Sequence, residues 1–242
     1  MGGRDRWREL CDMVAEDDGL PTWKNAGKWT EDKLYFWYRY LDITTTAMGE
    51  KPAWPGGLAY VDLFAGTGVC TLKRSGNRIP GSVLIAANMG KPFSAIIACE
   101  RNPAHADACR KRLERTRVAE RCHVLLGDCN ELVDRVVSMI PSNALTLAFV
   151  DPPGLDVHFS TVETLAMRAR TDFVVLFADG MDISRNAEHV YRKDPNSELD
   201  RFLGPDSGWR ETLDNLANPN GLTRRRCFAD IYTSQLRRLL GY

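Results

Sequence analysis

From residue 58 onward, apolar and polar positions fall in alternating blocks. Short apolar runs occur at 59–64, 95–99, 122–126, 145–150 and 173–178. Each has the length and continuity of a strand covered on both faces. Between them, apolar residues recur at helical spacing over roughly 82–89, 103–117, 129–139 and 160–169. Strands and helices in regular alternation predict an α/β fold, a parallel sheet of about five strands with flanking helices.

Ahead of this block the period is helical. Trp7, Leu10, Met13 and Val14 share one face of a short helix expected over 4–15, and Gly19, Pro21 and Gly27 interrupt it. Thr30 then reads as an N-cap, with Glu31 and Asp32 in the first turn. Leu34, Trp37, Tyr38 and Leu41 repeat at helical spacing, so the rings of this aromatic-rich stretch are expected to pack on the sheet. A stacking platform for nucleic-acid bases is the other use such rings could have. The run from Pro52 to Gly57 ends the unit, giving a helical extension over 1–57, packed on the core, and an α/β domain over 58–242. Two stretches break the rhythm. Residues 69–80, with Lys73, Arg74, Gly76, Asn77 and Arg78, read as a mobile polar loop, and 180–208 reads as irregular.

Charge narrows the partners. The 32 basic and 32 acidic residues cancel, so nucleic-acid binding would need a local basic patch rather than a basic chain. The helix at 103–117 carries Arg110, Lys111, Arg112, Arg115 and Arg117, which read as a solvated face, with a nucleic-acid-facing patch as the alternative. Arg224, Arg225 and Arg226 form a second basic cluster. The seven cysteines lack paired metal-ligand spacing and read as reduced thiols, with no metal expected and a cytoplasmic location. A charged N-terminus and the lack of a long apolar run predict neither signal peptide nor membrane span.

The chemistry-bearing residues gather where the predicted strands end. Asp62 lies within the first strand, which runs through Phe64 and Ala65 into Gly66-Thr67-Gly68. Glu100 and Arg101 follow the second strand, Asp128 and Cys129 the third, and Asp151-Pro152-Pro153 the fourth. Ligands of open parallel sheets bind at the carboxyl ends of the strands. A carboxylate at Glu100 can accept both hydroxyls of a ribose, and Asp128 can accept from an exocyclic amine. An acid just before a helix can equally be its N-cap, and Asp128 has that alternative. Position 71 is threonine where a dinucleotide fingerprint needs its third glycine, and Glu100 lies farther from the loop than that fingerprint places its ribose acid, which disfavours a nicotinamide cofactor. No Gly-Lys-Ser/Thr follows the loop, so a P-loop is excluded.

Together, Asp62-x-Phe64-Ala-Gly66-x-Gly68, Glu100, Asp128 and Asp151-Pro152-Pro153 resemble the motif series of class I S-adenosylmethionine-dependent methyltransferases. Additional segments resemble the three-Cys-motif partner protein (TcmP) family. They are Trp29-Thr-Glu-Asp-Lys33-Leu, Tyr60-Val-Asp-Leu-Phe-Ala-Gly66, Gly81-Ser-Val-Leu-Ile-Ala, Phe149-Val-Asp-Pro-Pro-Gly-Leu-Asp156, Gly180-Met-Asp-Ile-Ser-Arg-Asn186 and Leu203-Gly-Pro-Asp-Ser-Gly-Trp209-Arg. The resemblance implies a Rossmann-like methyltransferase domain over 58–242, S-adenosyl-L-methionine as cofactor and a three-Cys-motif protein as partner. It implies that the glycine loop meets the methionine moiety, Glu100 the ribose and the residues after the third strand the adenine. Asp151 and Pro152 would then face the substrate amine.

Two features depart from that pattern. Gly154 stands where amino-methyltransferases of nucleic acids usually carry an aromatic that stacks on the target base, so Phe159 or His158 would have to supply the ring. Sequence ends after a helix expected over 230–240, where class I sheets usually add two more strands. The leading expectation is a methyltransferase with nitrogen in a nucleic acid as candidate acceptor. Its alternative is a non-catalytic partner or recruitment protein that keeps the cofactor-binding fold. Asp179, Asp182, Arg185 and Asn186 could line the substrate side or simply hold a loop. His105, His123 and His189 are read as surface or packing residues.

Overall fold

A computed structural model describes residues 3–177, 190–216 and 221–241. The chain divides into two units, Met1–Phe149 with Ala169–Val174, and Val150–Arg168 with Val175–Tyr242.

The first unit holds most of the main sheet. Its strands are β2 (Leu58–Asp62), β5 (Ala95–Glu100), β6 (Cys122–Leu126), β7 (Leu145–Val150) and β8 (Arg170–Val175), in the spatial order β6-β5-β2-β7-β8. Ala59–Asp62 run parallel to Ala95–Ala98 on one side, and Leu58–Asp62 parallel to Leu145–Phe149 on the other. The chain therefore builds outward from β2 to β6, then crosses back to β7. That reversal, beside β2, is the topological switch of a Rossmann-like sheet. Burial follows position: β2 and β7 are buried at every residue, whereas the flanking β6 and β8 are only partly covered. The chain thus has the expected α/β fold, and among the described residues no strand follows β8. β8 begins at Arg170, earlier than the apolar run at 173–178 suggests, and residues 178–189 lie outside the described part.

The helices before and between the strands are α1 (Gly3–Asp12), α2 (Lys28–Met48), α3 (Ser82–Ala87), α4 (Pro103–Leu113) and α5 (Cys129–Met139). α2 starts at Lys28 with Gly27 as N-cap, not at Thr30. Lys28 instead meets Glu31 and Asp32 one turn on, at 3.2 and 2.7 Å. Part of the aromatic stretch packs as expected: Trp37 stacks on Phe149 of β7 at 4.4 Å and lies 6.1 Å from Tyr60 of β2. Phe36 and Trp29 remain exposed.

Residues 69–80 form a hairpin rather than a mobile polar loop. β3 (Val69–Leu72) and β4 (Arg78–Pro80) pair antiparallel, and β1 (Trp23–Ala26) adds parallel to β3. The polar residues that suggest a loop occupy only the turn, where Leu72 N–H donates to Asn77 O and Gly76 N–H to Leu72 O, both at 2.8 Å. Val69 and Ile79 are buried and anchor the strands.

In the second unit, α6 (Phe159–Arg168), α7 (Glu198–Leu203), α8 (Trp209–Asp214) and α9 (Gly221–Leu240) enclose Phe202, Phe228 and Tyr232, the last stacking on Phe202 at 4.9 Å. Asp200 organises the 191–210 region. It closes a capping box with Ser197, accepts from Trp209 Nε1 at 2.7 Å, and is gripped by the Arg210 guanidinium. Burial raises the Asp200 carboxyl, but these donors outweigh it and hold the group well below the usual carboxylate range.

Candidate functional site

Asp62 is completely buried at the end of β2. Its Oδ2 accepts from the Tyr60 hydroxyl at 3.0 Å and from Ser82 Oγ at 2.6 Å, while Oδ1 accepts from the Phe64 N–H at 3.2 Å. Tyr60 in turn accepts from Trp37 Nε1 at 3.2 Å. Burial, then the Asp62 charge, push the Tyr60 hydroxyl well above its usual value, which keeps it a donor. Asp62 thus acts on the loop through Phe64 and through Ser82 on α3. Ser82 donates into this relay, and α3 has Gly81 at its N-cap with no side-chain cap bond.

Beyond Asp62 the backbone turns sharply. Gly66 and Gly68 hold φ of +60° and +79°, a region disfavoured for side-chain-bearing residues. A side chain at Gly66 would meet nothing within 4 Å, so open space lies beside it. At Gly81 the opposite holds: a Cβ would lie 3.0 Å from the Gly68 carbonyl, to which Gly81 N–H donates at 2.7 Å. The absence of a side chain lets the start of α3 touch the glycine loop.

Glu100, at the end of β5, closes the loop. Its Oε2 accepts from Gly66 N–H at 3.0 Å and its Oε1 from Asn102 N–H at 2.7 Å. Ala65, buried, adds a bond from its N–H to Cys99 O at 3.0 Å. Arg101 is exposed beside Glu100. Asp128 is the N-cap of α5, accepting from Asn130 N–H at 2.8 Å, and buried Cys129 is the first residue of that helix. Gly127 N–H donates to Glu100 O at 3.1 Å, so the ends of β5 and β6 are tied together. The structure therefore brings the Gly66 loop, Glu100 and the Asp128 turn to one end of the sheet, all within the first unit.

Asp151 and Pro152 follow β7 directly and belong to the second unit, where Pro152 is buried and Asp151 half-buried. Phe159, one of the two rings suggested for a base pocket, is a core residue set edge-on to Tyr232 at 5.8 Å. Asp179, Asp182, Arg185, Asn186 and His189 lie outside the described residues. Burial pushes the Cys99 thiol up to about 12 and those of Cys11 and Cys122 up to about 11, so these are inert thiols at neutral pH. Among the described residues no cluster of His, Cys, Asp and Glu could hold a metal ion. No helix there is long and apolar enough to cross a membrane.

The residue that sequence reasoning missed is Arg112. It lies on the basic helix read as a solvated face, yet it is 4% exposed. Its Nη1 donates to Thr67 O at 2.7 Å, between the two loop glycines, and to Pro21 O at 2.8 Å. Its Nε and Nη2 grip Asp18 at 2.8 and 2.9 Å. The only signal in the sequence is that 112 falls in phase with Ala108 and Cys109, on the apolar side of α4.

No protein-family profile matches the chain, and no curated protein matches it. Solved structures do. An O-methyltransferase from Bacillus cereus with bound SAH matches at 12% identity over 95% of this chain and 86% of its own, with a TM-score of 0.40. A geranyl diphosphate C-methyltransferase from Streptomyces coelicolor matches at 12% over 96% and 93%, with a TM-score of 0.34. A DUF519 protein from Legionella pneumophila matches at 13% over 60% and 66%, with a TM-score of 0.42. Similarities of this size leave the chemistry to be argued from the site itself.

Proposed function

We propose that this chain is an S-adenosylmethionine-dependent methyltransferase of the three-Cys-motif partner type, acting on nitrogen in a nucleic acid. The observation that carries the reading is the Gly66 N–H to Glu100 bond, which sets a carboxylate against a glycine loop with open space beside it. A nucleoside-bearing sulfonium fits those residues. Glu100 would accept the ribose hydroxyls through lone pairs left by the Gly66 and Asn102 amides, with Arg101 at the rim. The backbone from Phe64 to Gly68 would lie along the methionine part, held by Asp62 from beneath. Asp128, oriented by its cap bond, and Cys129 would bound the adenine.

The cofactor supplies an electrophilic methyl group. On the substrate side, Asp151 would accept a hydrogen bond from the acceptor amine and the Pro152 carbonyl a second, aiming the nitrogen lone pair. Catalysis would rest on positioning and charge placement, with no covalent step on the protein. The unreactive cysteine thiols fit that account and a reducing, cytoplasmic setting. A three-Cys-motif protein is the partner that the sequence resemblance supports.

Gly154 favours a second reading, a recruitment protein that binds the cofactor without transferring from it, because no ring follows Asp151-Pro152-Pro153 to stack on a base. Calorimetric titration with S-adenosylmethionine tests the shared premise. Wild type should bind, and Glu100→Gln should bind at least about tenfold more weakly, the scale of a lost charge-assisted hydrogen bond. No binding by wild type would sink both readings. Transfer of a labelled methyl group to RNA, DNA or protein then separates enzyme from recruiter.

A further inference from the structure

The Thr67 carbonyl belongs to the peptide between Thr67 and Gly68, in a loop where Gly66 and Gly68 both take positive φ. Arg112 donates to that carbonyl, beside the Thr67 hydroxyl bond to Val69 O and the Gly66 N–H bond to Glu100. Arg112 is itself held by Asp18, Leu20 and Pro21. All five guanidinium N–H groups have acceptors: two on Asp18, one on Thr67 O, one on Pro21 O and one on Leu20 O at 3.2 Å. A fully satisfied, buried guanidinium has no donor left for a ligand. Its function is therefore to hold other groups in place.

Asp18 is built to receive it. Arg78, on β4, adds a second contact to the same carboxylate at 2.6 Å, and the Leu20 N–H a third at 3.3 Å. The Arg112 guanidinium first, then Arg78, hold the Asp18 carboxyl well below the usual carboxylate range, against the opposing effect of burial. On the far side of the loop, β1 pairs with β3, which begins one residue after Gly68. Residues 17–26 thus hold the middle of the glycine loop, through Arg112, and the strand that follows it, through β1.

We propose that Arg112 and Asp18 are positioning residues of the cofactor site, and that the glycine loop keeps its ligand-receiving form only while the 17–21 segment is docked. This inference rests on the methyltransferase reading above. It makes cofactor affinity depend on a stretch of chain that touches no cofactor.

The test uses the full-length protein with Arg112→Lys, which keeps the charge but loses the planar fork, Asp18→Asn, and the double variant. Arg115→Gln is the control; Arg115 reaches the same carboxylate only at 3.7 Å and is mostly exposed. Calorimetry with S-adenosylmethionine is paired with amide hydrogen exchange on the ligand-free proteins. The expected result is affinity at least about tenfold lower in each single variant, with the double variant no worse than the weaker single, since both act through one knot. Amides of residues 66–69 should exchange faster by a larger factor than those of the α5 interior, whatever fall in melting temperature the broken buried ion pair brings. The Arg115→Gln control should bind as wild type does. Were wild type to bind while both variants matched it within twofold, the positioning role would be overturned and the cofactor reading would stand. Wild type that fails to bind overturns the cofactor reading, and the inference with it. Loop exchange that rises only in step with α5 exchange would mark a general loss of stability and overturn the inference.

Discussion

At the scale of single residues, the site is a set of acids with different tasks. Asp62 has no exposed surface, and its contacts run inward to Tyr60, Ser82 and the Phe64 amide. Glu100 faces the loop itself. A buried carboxylate is tolerable only while its donors are in place. Ser82→Ala would remove the shortest of these bonds without changing backbone geometry, since alanine suits a helix start. We expect it to lower the unfolding free energy by about 1–3 kcal/mol, the cost of an under-satisfied buried polar group. Urea denaturation monitored by tryptophan fluorescence measures it. A loss below about 0.5 kcal/mol, typical of a surface substitution, would show that Asp62 does not depend on this donor. The roles of Asp62 and Glu100 differ in a way that residue spacing conceals. Both are acids near a strand end, and only the three-dimensional path of the chain shows which one is enclosed.

Elements show the same divide between what local pattern reveals and what distant contacts decide. The central strands of the main sheet were legible because they are apolar runs of strand length, and Gly66, Gly68 and Glu100 could be placed from them. The polar start of β8, Arg170-Thr-Asp, hid where that edge strand begins. The β3–β4 hairpin was obscured by Lys73 to Asn77, whose polarity describes the turn but not the strands beside it. The N-terminal strand β1 gains its partner, β3, only through the fold, and so does Arg112, whose buried contacts come from residues more than 40 positions away. Gly81 gives this scale its own prediction. A Cβ there would press into the Gly68 backbone, and neither partner is a flexible side chain that could move aside. Gly81→Ala should push α3 off the loop, costing about 1–3 kcal/mol of stability as an overpacked contact does. It should also weaken S-adenosylmethionine binding at least about tenfold. Thermal melting and calorimetry check the two effects, and unchanged affinity would mean that α3 does not shape the loop.

For the whole molecule, the division into two units separates two kinds of residue. Asp62, Phe64, Ala65, Gly66, Gly68, Glu100, Arg101, Asp128 and Cys129 all belong to the first, and Asp151 and Pro152 to the second. If the first set binds the cofactor and the second orients the acceptor, binding and transfer are separable by mutation. Asp151→Asn keeps size and shape, retains one acceptor oxygen and loses the charge, so the fold should persist. S-adenosylmethionine affinity should stay within about twofold of wild type, because no cofactor-binding group is altered. Methyl transfer should fall by about a hundredfold or more, the scale of losing one oriented hydrogen bond in the transition state. Parallel calorimetry and labelled-methyl assays read the two quantities on the same preparation. Equal loss of both would place Asp151 in the cofactor site. Transfer that survives intact would remove Asp151 from the reaction and leave the Pro152 carbonyl, a backbone group that survives side-chain substitution, as the acceptor's remaining partner.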